Sequence, residues 1–381
     1  MKFKNQKLKE FANVNMGQSP KSEFYNTTGE GMPFLQGVRT FGEIYPDIDT
    51  FTTKSHKIAE KGEILFTVRA PVGDVNICPE KICIGRGLAS ISSDNNIFLY
   101  YLLRNSRKKF NNVSTGTIYS SINKKELENL EFMIPNNDDC IKIADTLFNL
   151  DKKIEVNNKI IANLEEQAQA IFKSWFVDFE PFQDGNFVES ELGMIPEGWK
   201  VSITGKEFDI EYGKNLPTKN LLKNGYPVYG GNGQIGFYNK YLYSKPRLLV
   251  SCRGAASGKV GLSKAYSFVT NNSLVFNEKI DEYFYYYKYL FNNIVFENYV
   301  TGSAQPQLTI KNSTNIRILI PNKNTISDFN KLVEANLKKQ NVLDNENKKL
   351  AEIRNALLPK LMSGEIDVSN IKIKGEEVRN E

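Results

Sequence analysis

From Leu147 onward, apolar residues recur at heptad spacing. The stripe consists of Leu147, Leu150, Ile154, Ile161, Leu164, Ala168, Ile171 and Trp175, with Asn157 as its one polar member. Such a narrow stripe marks the a and d positions of a helix that packs against another helix. The pattern predicts a long helix. Two interpretations of Asn157 remain open: it lies in the seam and fixes register at a cost in stability, or the helix turns it outward locally.

The end of this predicted helix is strongly aromatic. The cluster comprises Phe172, Trp175, Phe176 and Phe179. Large apolar side chains in a mostly polar chain need cover. We expect the cover to come from the second helix described next and from the globular domain beside it. The exposed parts of the cluster are also a candidate partner surface.

The chain repeats itself at a constant offset of 186 residues. The run STGTIYSSINKKELENLEFMIP, which ends at Pro135, corresponds to VTGSAQPQLTIKNSTNIRILIP, which ends at Pro321. In the same register NLEEQAQAIFKSWF corresponds to KLAEIRNALLPKLM. The second stripe is more polar, and its apolar members are Leu343, Leu350, Leu357 and Leu361. We predict a duplicated domain whose two long helices pair antiparallel like a coiled coil.

Upstream of the helices the repeat continues with small gaps. It aligns Arg69 with Arg253 and Gly73 with Gly258. Runs such as EILFTV and RLLVSC are typical of strands, whereas NIFLYYLLRNSRKKF and DEYFYYYKYLFNNIV are typical of helices. The predicted fold class is α+β with two pseudo-symmetric globular domains. The predicted boundaries are globular block 1–145, central helical region 146–190, second block 191–325, distal helical region 326–365 and C-terminal tail 366–381.

Charge is distributed unevenly along the chain. The formal charge is +2 for residues 1–145, −6 for 146–198, +9 for 199–325 and 0 for 326–381. A basic globular segment is the expected footprint of a polyanion partner, although a high lysine content alone gives the same excess. No apolar run is long enough to cross a bilayer, and we expect a cytoplasmic protein.

Few residues suit catalysis or metal binding. The four cysteines are scattered without a CxxC pair and are expected in the core, while the single histidine, His56, lies in a polar run and is expected at the surface. GGNGQIG at 230–236 matches a dinucleotide fingerprint but precedes a strand-like segment instead of a helix. GAASGKVG at 254–261 fails as a P-loop because Val260 stands where Ser or Thr should be. We predict no catalytic residues and no metal site.

Polar side chains suited to bases and phosphates are plentiful in both blocks, since Arg and Lys bind phosphates or guanine while Asn and Gln bind adenine. For each of them singly, an ordinary solvated surface role is at least as good an interpretation. The candidate DNA-binding residues are Arg39, Arg69, Arg86, Lys124, Lys214, Lys219, Asn232, Arg253, Lys259, Gln305 and Gln307.

Three features resemble the specificity (S) subunit of type I restriction-modification systems. They are the central run LEEQAQAIFKSWFVDFEPFQDGNFVESELGMIPEGWKV, the distal run IRNALLPKLMSGEIDV and the paired TGT and TGSAQPQLT loops. The resemblance covers the whole chain. It implies two target-recognition domains that each bind half of a split double-stranded DNA sequence, and helices that hold them apart and dock two methyltransferase (M) subunits. It also implies restriction (R) subunits, with S-adenosylmethionine, ATP and Mg²⁺ in the partners and no cofactor in this chain.

The helix length suits such a spacer. The stripe from Leu147 to Trp175 spans roughly 42 Å at about 1.5 Å per residue, compared with about 34 to 36 Å for one DNA turn. We predict half-sites about one turn apart. Three other classes stay open at this stage: a free-standing transcriptional regulator, an enzyme, and a purely structural coiled-coil adaptor.

Overall fold

The computed structural model describes residues 1–113, 121–302 and 305–371, without the side chains of 111–113. The chain forms two compact units, one made of residues 1–159 and 343–381 and the other of residues 160–342. Each unit therefore combines a globular block with part of each long helix. The sequence-based boundaries of the helical regions stay predictions.

The first unit has eleven strands and four short helices in its described globular part. The strands are β1 (Phe3–Lys7), β2 (Ala12–Met16), β3 (Tyr25–Asn26), β4 (Met32–Leu35), β5 (Phe51–Thr52), β6 (Ile58–Ala59), β7 (Ile64–Thr67), β8 (Val75–Ile77), β9 (Ile82–Ile84), β10 (Leu88–Ser93) and β11 (Glu131–Pro135). The helices are α1 (Leu8–Phe11), α2 (Asn96–Asn105), α3 (Arg107–Val113) and α4 (Lys124–Glu128). The first long helix, α5 (Asn137–Phe176), follows and continues into the second unit.

The second unit repeats most of this order of elements after an additional hairpin, which consists of its first two strands. Its strands are β12 (Phe187–Ser190), β13 (Gly193–Pro196), β14 (Lys200–Ile203), β15 (Phe208–Tyr212), β16 (Tyr226–Gly230), β17 (Gly233–Tyr238), β18 (Leu248–Ser251), β19 (Val260–Leu262), β20 (Phe268–Val269), β21 (Ser273–Glu278) and β22 (Arg317–Ile320). Its helices are α6 (Thr204–Glu207), α7 (Phe284–Asn292) and α8 (Ile310–Thr314). The second long helix, α9 (Lys323–Ser363), begins here and ends in the first unit.

The sheet topologies confirm the duplication. The first unit has an antiparallel sheet with the order β2-β10-β7-β8, and the second has β15-β21-β18-β19. Each unit also has a pair of parallel strands: β4 with β9 in the first unit and β16 with β20 in the second. Strand β1 pairs with β11 just as β14 pairs with β22. The predicted fold class, α+β with two pseudo-symmetric domains and two long helices, is thus confirmed.

The two long helices start with the same cap. The amide of Asp139 donates to Oδ1 of Asn136 at 2.9 Å, and the amide of Thr325 donates to Oδ1 of Asn322 at 2.9 Å. The two caps are 186 residues apart, which is the offset of the repeat. Asparagine at this position satisfies a backbone donor that the first helical turn leaves free. The first helix begins at Asn137, ten residues before the apolar stripe.

Within each unit the two helices pair antiparallel, as predicted. In the first unit Nδ2 of Asn157 donates to Oε2 of Glu346 at 2.7 Å and to Oδ1 of Asn347 at 2.9 Å. In the second unit Nε2 of Gln340 donates to the carbonyl oxygen of Ile161 at 3.4 Å. Asn157 is fully buried, so the alternative of an outward rotation is wrong. Four of the predicted seam residues are buried, as expected: Leu147, Ala168, Leu343 and Leu361.

A buried ion pair between the two long helices distinguishes the first unit from the second in the described residues. Asp151 on α5 pairs with Arg354 on α9, and both side chains are at most 3% exposed. The hydroxyl of Tyr101 donates to Oδ2 of Asp151 at 2.5 Å. At the offset of 186 the second unit has Leu337 and Ala168 instead, of which Ala168 is buried and Leu337 packs against the core. The repeat has therefore placed a charged cluster and an apolar contact at equivalent positions.

The aromatic end of α5 lies in the core of the second unit. The ring of Phe172 lies 5.6 Å from that of Tyr286 and 5.9 Å from that of Phe329 on α9. Phe176 packs on Trp199, with ring centroids 5.8 Å apart. The predicted cover is therefore confirmed. Phe172 and Phe176 are at most 5% exposed and are core residues, not partner surface, whereas Trp175 and Phe179 are half-buried.

The two glycine-rich runs form turns. Gly231 and Asn232 connect β16 and β17 as a two-residue hairpin turn, and Gly233 has φ +96°. A strand follows instead of a helix, as predicted, so this run is not a dinucleotide-binding loop. Gly258 occupies the same turn as Gly73: the amide of Gly258 donates to Ser251 and that of Gly73 to Thr67, with φ of +96° and +90°.

Candidate nucleic-acid interface

Polar side chains gather where several strands of the first unit end. The amide of Val68, after β7, donates to the carbonyl oxygen of Gly87 at 2.9 Å. The amide of Gly85 donates to Leu35, at the end of β4, at 2.8 Å. The amide of Gln18, after β2, donates to Ile84 at 2.9 Å. These backbone bonds bring the segments of Gln18, Gln36, Arg69 and Arg86 to one end of the sheet, which we call the first rim.

Glycines allow these segments to approach so closely. A Cβ atom on Gly87 would lie 2.3 Å from the carbonyl oxygen of Gln36, and one on Gly85 would lie 2.9 Å from Oγ of Ser19. A Cβ on Gly17 would lie 2.2 Å from the carbonyl oxygen of Gly85. The two contacts with carbonyl oxygens exclude a side chain at Gly87 and at Gly17. The sequence Gly85-Arg86-Gly87 therefore presents one side chain, that of Arg86, from a tightly packed backbone.

The second unit builds the same rim from different residues. The amide of Cys252 donates to Asn272 at 2.9 Å, that of Thr270 to Tyr229 at 2.8 Å, and that of Lys214 to Val269 at 2.9 Å. Matching these bonds with those of the first unit equates Arg253 with Arg69 and Lys214 with Gln18. It also equates Gly230 with Gln36, and Asn271 with Arg86. We call this set the second rim.

The rim arginines have no acidic partner in the described part of the chain. Among the described residues Arg39, Arg104, Arg107, Arg247, Arg317 and Arg354 each form an ion pair with a described carboxylate, whereas Arg69, Arg86 and Arg253 do not. All three of the latter are exposed. An exposed guanidinium without a carboxylate partner is available to bind an external anion or a base.

Isolated β-bridges also join each of the two equivalent arginines to a later segment of its unit. Arg69 forms a β-bridge with Ser121, and Arg253 forms one with Gln307, 186 residues after Ser121. The amide of Gly254 donates to the carbonyl oxygen of Pro306 at 3.1 Å, beside exposed Gln305. Gln305 and Gln307 thus border the second rim. The first-half counterpart of that loop, with Thr115 and Gly116, lies outside the described residues.

Five other predicted residues are placed less centrally. Nζ of Lys259 donates to Oδ1 of Asn232 at 2.6 Å, so these two residues join the hairpin turn to the neighbouring strand β19. Arg39 is paired with Asp49 at 2.7 Å. The position of Arg39 in the chain does not by itself place this residue at the first rim. The pairing raises the pKa of Arg39 and lowers that of Asp49.

Lys124 begins α4 and lies 3.5 Å from Glu128, close in sequence to Ile122, whose amide donates to Val68. Lys219 is exposed in a single helical turn, Thr218–Asn220. The DNA-binding roles of all eleven candidates stay predictions.

Sequence reasoning missed Gln18, Gln36, Asn271 and Asn272. Gln18 could have been found, because it lies two residues after β2, just as the predicted candidate Lys214 lies two residues after β15. Gln36 and the asparagines could not, since only the backbone bonds between non-adjacent strands bring them to the rims.

The described residues contain no group of three His, Cys, Asp or Glu side chains that could hold a metal ion. All four cysteines are buried and unpaired, as predicted, and burial raises the pKa of Cys78 to about 12. His56 is exposed, as predicted. None of the described helices is both long and apolar enough for a membrane span.

A family model decides the assignment. The model of the type I restriction modification DNA specificity domain matches the chain twice, at residues 1–166 and 196–355. The chain belongs to this family. Its members supply DNA specificity, in agreement with the prediction that the chain is not an enzyme. The two matches also coincide with the two halves of the internal repeat.

Individual relatives agree with this membership. The chain is 28% identical to the MjaIX specificity subunit of a type I restriction enzyme from Methanocaldococcus jannaschii, over 96% of this chain and 94% of the relative. It is 42% identical over 162 residues to the putative MjaX specificity subunit from that organism, a match that spans 42% of this chain and only 38% of the relative. The crystal structure of a type I S subunit from M. genitalium matches the fold with a TM-score of 0.58, at 20% identity over 95% of this chain and 96% of that one.

Proposed function

We propose that this chain selects the target of a type I restriction-modification complex, with each unit binding one half of a bipartite double-stranded DNA sequence. The observation that carries the proposal is the duplicated rim. The same backbone bonds converge in both units around an exposed arginine without a described carboxylate partner, Arg69 or Arg253. Two copies of one scaffold with different polar side chains suit two different half-sites.

The helices are proposed to set the spacer between the half-sites. Both α5 and α9 contribute residues to both units, so a change in their length changes the connection of one unit to the other. We expect them to dock two methyltransferase subunits, and restriction subunits to join that complex. The chain itself is expected to need no cofactor, while its partners use S-adenosylmethionine, ATP and Mg²⁺. Such a system acts in the cytoplasm.

The first test is a map of DNA methylation. The chain is co-expressed with its methyltransferase in a host that lacks other adenine methylation, and modified adenines are mapped by single-molecule sequencing. We expect a new split motif, methylated on both strands, that disappears when this chain is omitted. Methylation without this chain, or none from an assembled complex, would contradict the proposal. Tight specific binding by the chain alone would favour a free-standing regulator.

The second test concerns the spacer. Seven residues are inserted into both helices, after Lys159 and after Val342, where the two units divide. One heptad lengthens each helix by about 10.5 Å, or about 3 base pairs at about 3.4 Å each. The spacer should grow by about that amount while both half-sites stay the same. Altered half-sites would show that the helices do more than set the distance.

A further inference from the structure

An open cavity of about 460 Å³ lies at the first rim. Its polar lining includes Gln18, Gln36 and Arg86, together with Ser19, Ser22 and Tyr25. The sequence pointed to Arg86 alone in this group. The question is what ligand such a cavity, open to solvent and lined by amides and a guanidinium, would bind.

The backbone beneath the cavity is fixed. The amide of Arg86 donates to Oγ of Ser19 at 3.1 Å, the hydroxyl of Tyr25 donates to the carbonyl oxygen of Pro20 at 2.8 Å, and the Tyr25 ring packs 4.5 Å from that of Phe34. At the neighbouring Gly17 and Gly87 an added Cβ atom would clash with a carbonyl oxygen. A rigid support lowers the entropy cost of holding a side chain against a ligand.

The side chains on that support have no internal role. Gln18, Gln36 and Arg86 are exposed, and none of them makes a side-chain hydrogen bond or ion pair to another described residue. In contrast, other polar side chains of this unit, such as Asn15, Asn76 and Thr67, bond to the backbone of their own block. Polar groups that bond to no other described side chain, on a backbone that is held firmly, are arranged to bind something outside the fold.

Comparison of the two rims separates two kinds of residue. Arginine is present at the same place in both units, as Arg69 and Arg253. The three cavity residues all change: Gln18 becomes Lys214, Gln36 becomes Gly230 and Arg86 becomes Asn271. DNA phosphates are the same in any sequence, whereas base edges differ between half-sites. A residue that both units share suits a phosphate, and residues that differ suit bases.

We infer that Gln18, Gln36 and Arg86 form the base-reading cluster of the first unit. The inference rests on the proposed function. Arginine donates two hydrogen bonds to O6 and N7 of guanine, and glutamine pairs with N6 and N7 of adenine in the major groove. The first half-site therefore contains a guanine bound by Arg86 and at least one adenine bound by Gln18 or Gln36. Arg69 binds the phosphate backbone beside them.

The test uses the complete complex with its methyltransferase. The wild-type motif is mapped first, and Gln18→Ala, Gln36→Ala and Arg86→Ala are then mapped in the same host. Each alanine substitution that removes a base-contacting side chain should reduce the discrimination between bases at one position of the first half-site by roughly 5- to 150-fold in relative affinity. The second half-site should stay unchanged. Competition binding with duplexes that carry single base changes gives these ratios.

Two further variants keep the test decisive. Arg86→Lys retains the charge but not the planar pair of donors, so we expect it to relax the guanine position while nearly preserving total affinity. Lys81→Ala is the matched control, because Lys81 is exposed and pairs with Glu60 at 2.9 Å. It should leave the motif unchanged.

The outcomes distinguish a failure of the proposed function from a failure of the base-reading assignment. If the assembled wild-type complex methylates no motif, the proposed function fails. If the wild-type motif appears but all three alanine variants and Arg86→Lys keep it unaltered, or if they alter the second half-site instead, the base-reading assignment is overturned while the proposed function stands.

Discussion

Replacement of Arg354 by alanine should strongly destabilise the first unit. The substitution removes the partner of Asp151, whose side chain is 1% exposed. Arg354 also donates to Oε1 of Glu43 at 2.8 Å. A buried charge that loses its partner costs about 3 to 5 kcal/mol. Burial opposes ionisation of Glu43, but the hydrogen bond from Arg104 and the charges of Arg354 and Arg104 outweigh it and lower the pKa of Glu43.

The second unit shows which substitutions should restore the lost stability. At the equivalent positions it has Leu337 and Ala168, so the double variant Asp151→Leu, Arg354→Ala copies an arrangement that the chain already uses. The hydroxyl of Tyr101 would then lose its acceptor, at a cost of about 1 to 3 kcal/mol, and Tyr101→Phe removes it. We expect the triple variant to regain most of the stability, because a well-packed apolar contact often equals or exceeds a buried ion pair.

Hydrogen exchange can follow each unit separately in the full chain. Protection of α2 reports on the first unit and protection of α7 on the second. Arg354→Ala should reduce protection in α2 by an amount that corresponds to about 3 to 5 kcal/mol and leave α7 nearly unchanged. A loss below about 1 kcal/mol, the range of surface pairs, would refute the reasoning. So would a triple variant as unstable as the single one.

Three further predictions concern other parts of the molecule. Phe176→Ser should destabilise the second unit by about 3 to 5 kcal/mol, because the side chain is 5% exposed, whereas exposed Val177→Ser should change stability by at most about 0.5 kcal/mol; similar urea midpoints for the two variants would contradict this. Burial opposes ionisation of Glu165, but the hydrogen bond and charge of Lys288 at 2.9 Å outweigh it and lower the pKa. The second unit should therefore keep this stabilisation above the ordinary glutamate pKa of about 4.3 and lose it as the pH falls below that value, and Glu165→Gln should reduce this acid sensitivity. Arg69→Ala and Arg253→Ala should each weaken binding of all DNA sequences and reduce the slope of log affinity against log salt by about 1; a changed methylation motif would show that these arginines contact bases.

The helices were the most predictable part of the fold. The heptad stripe and the 186-residue offset gave both helices and their antiparallel pairing, since one narrow apolar stripe has few ways to be buried. The strands EILFTV and RLLVSC also lie where their composition predicts. What the stripe could not give was the state of Asn157, because a polar residue in a seam can either bond across it or turn away. Its bonds to Glu346 and Asn347 show the first of these.

The rims were only partly predictable. Arg69 and Arg253 were found because the repeat aligns them, but Gln18 and Gln36 follow different strands and share no sequence spacing with Arg86. Their proximity depends on backbone bonds that join β2, β4 and the turn before β10. Judged by side-chain type alone, Arg39 was as good a candidate as the rim arginines, although its side chain already forms an ion pair with Asp49. Residue type identifies what can bind DNA, whereas the fold decides which side chains are free to do so.

The same freedom explains how the two units can diverge. The rim side chains make no described bond within the fold, so replacing them should change stability by at most about 0.5 kcal/mol. Substitution of the glycines beneath them would bring a Cβ to 2.2 to 2.3 Å from a carbonyl oxygen and disrupt the backbone. Stability therefore constrains the support and leaves the reading residues free to vary. A duplicated unit built in this way can acquire a second half-site by a few substitutions at the rim, while the sheet, the caps and the helix seam stay as they are.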